Sequence, residues 1–196
     1  MPNYIGNVVW FYRPLSAVLH QKWADICHLT LEEFDRIYHE YYIKFEDNSS
    51  NLEEFIKTYN FPDVTQFQLC LDEVYQPHLF KQYLNLPVLA LIGNLHRVGQ
   101  VGFLSNAENF FYPYIQKNFL PFFDFGYTSW ELGVRKPDPK IYHLVLEKHD
   151  LQTSDVIFID DTQKNVDAAN LLGIKSIKFD DISQLATQLS TISLSD

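Results

Sequence analysis

The chain has 196 residues, 46% hydrophobic and 20% charged, the composition of a folded globular protein with one sizeable core, or a core and a small appendage. Its net charge of −10 argues against electrostatic docking on nucleic acid or on an anionic membrane, while leaving room for a local basic pocket. The two cysteines, Cys27 and Cys70, have no CxxC spacing, so they give no basis for a zinc site and read as free buried thiols in a reducing compartment.

Along the chain, "IGNVVWFYRPLSAV" (Ile5 to Val18) reads as a buried strand running into a turn. The segment from Ser16 to Asn85 is helical in pattern. Thr30 followed by Glu33 has capping-box spacing. "SNLEEFIKTYNF" opens a second helix behind Ser50, and "DVTQFQLCLDEVY" reads as a third. From Leu86 onward helix and strand alternate. "VLALIGNLHRV" is a helix with Gly99 as its stop, and "VGFLS" is a strand. "AENFFYPYIQKNF" is a helix kinked or broken at Pro113, and "FDFGYTS" is a strand. "DPKIYHLVLEKHD" is a helix behind Asp138, and "DVIFID" a buried strand. "TQKNVDAANLLG" is a helix ending at Gly173, "IKSIKF" a strand and "DISQLATQL" the last helix.

Short apolar strands separated by helices predict an α/β fold, a doubly wound parallel sheet with helices on both faces. The all-helical stretch predicts an inserted cap. The expected division is a core of residues 1–15 and 86–196 with a cap of residues 16–85. Ligands of such sheets bind beyond the carboxyl ends of the strands. Ser105, Ser129 and the pair Asp160–Asp161 end strands at that edge.

Three motifs carry chemistry. In "FIDDTQKNVDAANLLG" a strand delivers Asp160 and Asp161 to the edge, with Asn165 on the next helix turn, on the side of Asp161. Adjacent carboxylates repel unless a cation sits beside them, and magnesium suits such a site. A plain helix cap at Asp161 is the simpler alternative. "VRKPDPKIY" holds Lys136 before two prolines and a helix, although an isolated KPDP also suits an exposed loop lysine. "GFLSNAE" supplies Ser105 and Asn106, a hydroxyl and amide fit for phosphate or for an ordinary turn.

In this order the motifs resemble those of the haloacid dehalogenase-like hydrolase superfamily, mostly magnesium-dependent phosphatases, and of its subclass with a small helical cap. "FLSNAE" looks like the second motif, "ELGVRKPDPKIY" the third and "FIDDTQKNVDAANLLGIKSI" the fourth. The resemblance implies a Rossmann-like core. It implies that Ser105, Asn106 and Lys136 hold phosphate, and that Asp161, supported by Asp160, binds Mg2+.

The family's first motif is a strand ending in Asp-x-Asp. Its first carboxylate attacks the substrate, and the second serves as acid and base. Aligned by its apolar run, "NVVWFYRPLS" puts Phe11 at the nucleophile position and Arg13 at the acid–base position, and the first aspartate of the chain is Asp25. Phe11 cannot form an acyl-phosphate, and an arginine remains protonated. Arg13 suggests a guanidinium paired with Asp160 or Asp161 in place of a metal, so Mg2+ binding is expected to be weak or absent.

Two readings follow. One is a non-catalytic pseudophosphatase in the cytoplasm, acting through a phosphorylated small molecule or a protein partner, with no nucleic acid and no membrane. The other is a magnesium-dependent phosphatase or hydrolase of a small phosphorylated metabolite with an atypical nucleophile. The Tyr- and Phe-rich helical stretch supports a protein partner where its rings are exposed, and a packed interior where they are buried.

Overall fold

The computed structural model describes residues 3–7, 13–76, 78 and 84–193. Five strands, β1 (Asn3–Asn7), β2 (Val101–Ser105), β3 (Phe125–Thr128), β4 (Val156–Asp160) and β5 (Lys175–Lys178), form a parallel sheet in the order β3-β2-β1-β4-β5. β1 is therefore central. Its last residue, Asn7, pairs with Asp160, the last residue of β4.

Alternate residues of each strand face opposite layers, as strand geometry requires. On one face Tyr4, Phe103, Ile157 and Ile159 pack under α5 (Leu86–Leu95) and α10 (Ile182–Ser193), through Val88, Ile92, Leu185 and Leu189. On the other, Ile5, Leu104 and Phe158 pack under α8 (Pro139–Lys148), through Ile141 and Val145, and under α9 (Gln163–Leu171), through Ala169. Both faces are covered, as the alternating pattern predicts. Two glycines let β2 and β3 close up: a Cβ on Gly126 would lie 2.0 Å from the Phe103 ring, and one on Gly102 2.3 Å from the Phe125 ring.

Between β1 and β2 runs a helical insert with α1 (Arg13–Ile26), α2 (Leu31–Glu46), α3 (Leu52–Thr58) and α4 (Val64–Val74). Its interior is aromatic, with Trp23, Phe34, Tyr38, Tyr41, Phe45, Phe55 and Phe67 all buried. These described rings are therefore packed interior, in one cluster that continues through Phe110 to the sheet. The capping box at α2 is present, with Glu33 N–H donating to the Thr30 hydroxyl and Thr30 N–H to the Glu33 carboxylate. The cap of α3 is Asn51, which accepts from Glu54 N–H, one residue after the expected Ser50. The Ser50 hydroxyl instead donates to the Glu54 carboxylate and meets the Tyr41 hydroxyl.

Three other local readings shift. α5 stops at Leu95, before Gly99, in a turn where Gly99 N–H returns to the Leu95 carbonyl. Pro113 does not kink a helix: it lies in the first turn of α6 (Tyr112–Asn118), where its missing N–H costs nothing. The first strand is described over Asn3–Asn7, and Arg13, expected in a turn, is the first described residue of α1.

Candidate functional site at the carboxyl edge of the sheet

The strands β1, β2 and β4 are neighbours, so their carboxyl ends bring Asn7, Ser105 and Asp160 to one edge. Lys136 comes to the same edge from the loop between α7 (Ser129–Leu132) and α8. That loop is set by its ends. Gly133, with φ 64°, ends α7 in the left-handed conformation that glycine tolerates. Asp138 caps α8, accepting from Lys140 N–H at 2.8 Å, with Pro139 in the first turn.

Lys136 is no exposed loop lysine. It is 2% exposed, and its Nζ donates to Asp160 Oδ2 at 2.6 Å and to the Leu104 carbonyl at 2.6 Å. Of three ammonium protons, two are engaged. Asp160 Oδ1 accepts from Thr162 N–H and from Asn165 Nδ2, each at 2.9 Å. Asn165 therefore serves Asp160, where the spacing had placed it beside Asp161. Asp161 is exposed and accepts from the Thr162 hydroxyl at 3.3 Å. It is not the cap of α9, whose cap position is Thr162.

Asn106 spends both ends of its amide on the backbone of Lys136: Nδ2 donates to the carbonyl at 2.9 Å, and Oδ1 accepts from the N–H at 2.8 Å. The side chain expected on phosphate thus clamps the loop that carries the lysine. The Ser105 hydroxyl is half-buried, 3.4 Å from the Asn106 carbonyl. Ser129, fully buried and the first residue of α7 rather than the end of β3, ties that turn to the loop after β2 by accepting from Ala107 N–H at 3.1 Å.

Phe11 lies outside the described residues. For Arg13, the description covers the backbone alone. The residue of β1 paired with Asp160 is Asn7, four positions before Phe11. For a divalent metal, the described residues at this edge supply Asp161 and the buried, lysine-paired Asp160. Among the described residues no group of three or more His, Cys, Asp or Glu side chains is arranged around a metal position. A cation beside Asp160 would also meet the Lys136 ammonium.

One group of contacts beside this edge is invisible in the sequence. Glu108, two positions after Asn106, is buried and accepts from the Tyr38 hydroxyl of α2 at 2.7 Å. Arg135, just before Lys136, donates from Nε to Glu46 at the end of α2 at 2.6 Å. These pairs span 70 and 89 residues of chain, so no local spacing announces them.

The family model for haloacid dehalogenase-like hydrolases matches residues 5–173. The chain belongs to that family. Among curated proteins, this HAD-like chain is 41% identical over 95 residues to mouse (Mus musculus) acyl-CoA dehydrogenase family member 10, covering 48% of the chain and 8% of that protein. It is 35% identical over 74 residues to a chloroplast flavin mononucleotide hydrolase of Arabidopsis thaliana, covering 35% of the chain and 30% of that protein. The chain spans less than a third of the length of either. Among solved structures, a HAD family enzyme of Bacteroides thetaiotaomicron, in complex with magnesium and inorganic phosphate, superposes with a TM-score of 0.70. The two are 21% identical, and 92% of this chain and 94% of that one are covered. A HAD phosphatase of Thermococcus onnurineus gives 0.67 at 15% identity, with 91% and 86% covered. At such identities the likeness establishes the fold. Among the described residues no helix is long and apolar enough to cross a membrane.

Proposed function

We propose that this chain is a non-hydrolysing member of the HAD-like family that holds a phosphorylated small molecule at the carboxyl edge of its sheet. The reading is supported by the sequence ahead of the insert: no Asp or Glu precedes Asp25, and the described β1 residue paired with Asp160 is Asn7. A side-chain amide is a poor nucleophile and forms no acyl-phosphate, so in this reading the covalent step lacks its carboxylate attacker.

The binding half of the site is supported by what remains. The Ser105 hydroxyl and the third Lys136 proton suit phosphate oxygens, and the clamp from Asn106 keeps the lysine's backbone fixed. In this reading the insert is the cap over that edge, with the division of core and cap expected from the sequence. The alternative, a magnesium-dependent hydrolase of a small phosphorylated metabolite with an atypical attacker, draws on the exposed carboxylate of Asp161 and on the flavin mononucleotide hydrolase relative. One free carboxylate is a thin basis for it.

Calorimetric titration of inorganic phosphate into the protein tests the reading. Saturable binding is expected, weakened about tenfold in Ser105→Ala, the worth of one hydrogen bond to a charged group. Absence of phosphate binding by the native chain would contradict it.

A further inference from the structure

Among the described residues, two polar contacts join α2 of the helical insert to the sheet-edge loops, and both land beside the candidate phosphate residues. Tyr38 of α2 reaches Glu108, just past Ser105 and Asn106. Glu46, the last residue of the same helix, reaches Arg135, just before Lys136. We propose that this seam is a proton-dependent latch: with Glu108 neutral, α2 is held on both loops, and loss of that proton releases it. The proposal goes beyond the reading of the site as a phosphate holder and stands whether or not the site turns a substrate over.

The geometry carries it. Glu108 and Tyr38 are both buried, and the phenol donates to Glu108 Oε1 at 2.7 Å. A phenol–carboxylic acid contact is neutral and tolerates burial, while a buried carboxylate needs a cation. The nearest cation of the seam, Arg135, is already engaged by Glu46 at 2.6 Å and lies over the Tyr42 ring at 5.7 Å. Lys136, the other cation nearby, is engaged by Asp160. Among the described residues, the seam thus balances one carboxylate with one guanidinium, and a second carboxylate has no counter-charge.

The remaining groups around the seam leave that balance unchanged. From α1, His20 lies with its ring 4.4 Å from Tyr38 and is paired with Asp35 of α2. Tyr75, after α4, raises the Tyr38 phenol further, and Asp47 adds negative charge beside Glu46. Glu131 of α7 is engaged by Thr128 and Tyr112. In keeping with this, burial pushes the Glu108 carboxyl up to about 8. The Glu46 carboxylate adds to the rise, against the hydrogen bond from Tyr38 and the pull of Arg135.

The sign follows from linkage. The latched state holds its proton more tightly than a released, hydrated Glu108 does. Latching is therefore strongest below the ordinary glutamate value. It weakens about tenfold per pH unit as the pH rises toward 8, and levels off above it.

Hydrogen exchange of the full chain from about pH 6 to about pH 9, corrected for intrinsic chemical exchange, reads the latch directly. In the native protein, protection of α2 and of residues 105–112 should fall at least about tenfold over this range. In Glu108→Gln, which keeps the acceptor for Tyr38 and cannot ionise, protection should stay level. Level protection in the native protein, or the same fall in the variant, would overturn the proposal. Should the variant not fold, a titration of the native protein carrying 13C-labelled glutamate side chains decides. One carboxyl titrating near 8 supports the latch, and all carboxyls titrating in the ordinary range refute it.

Discussion

At the scale of single residues, the site rests on the Lys136–Asp160 pair, whose side chains are both 1% exposed. Such a pair gains little over well-packed apolar side chains, but removing one partner strands the other charge in the interior. Lys136→Met should therefore lower unfolding free energy by about 3–5 kcal/mol in urea melts, and the double variant Lys136→Met/Asp160→Asn should recover part of the loss. Equal stabilities for the single variant and the native chain would mean that the pair is not formed in solution. Glu108 makes a second prediction. It is raised relative to the unfolded chain, so its contribution to stability is complete below the ordinary glutamate value and is lost as the pH rises through about 8. The difference in stability between the native protein and Glu108→Gln should shift steadily against the native chain over that window, as followed by urea midpoints at successive pH values.

Residue types and short spacings made part of this site readable. Asp138 as a cap and Asp160 at a strand end are local consequences of turn and strand chemistry. The burial of Lys136 was not readable, because its partner lies 24 residues away on another strand. Nor was the role of Asn106, since an Asn in a turn after a strand carries no mark of the backbone it will clamp.

At the scale of elements, α2 joins the insert to both sheet-edge loops. Its N-terminus is fixed by the Thr30–Glu33 box, Phe34 near its start and Phe45 near its end are packed in the interior, and Tyr38 and Glu46 leave it toward the sheet-edge loops. Thr30→Ala should cost about 1 kcal/mol, the ordinary loss of an N-cap, without altering the seam. In the sheet, Gly126→Ala would drive a methyl into the Phe103 ring and should cost about 1–3 kcal/mol, measured in the same melts. A neutral outcome there would mean that β2 and β3 can separate to admit it. The order and kind of these elements were legible because helix and strand periodicities differ. The cap of α3 was not: Ser50 and Asn51 are both good caps, and the contacts of Ser50 with Tyr41 and Glu54 decide between them.

At the scale of the whole molecule, the strand order decides which strand ends share the site edge. β1 sits between β2 and β4, so its described end, Asn7, lies on the edge shared with Ser105 and Asp160. The proposed reading is that this HAD-like edge holds phosphate and lacks an attacking carboxylate. The measurement that tests this most directly is hydrolysis of an aryl phosphate with and without magnesium, by the native chain and by Asn7→Asp and Phe11→Asp variants. The account predicts no turnover by the native chain and magnesium-dependent turnover restored in Asn7→Asp. Magnesium-dependent turnover by the native chain itself would contradict it.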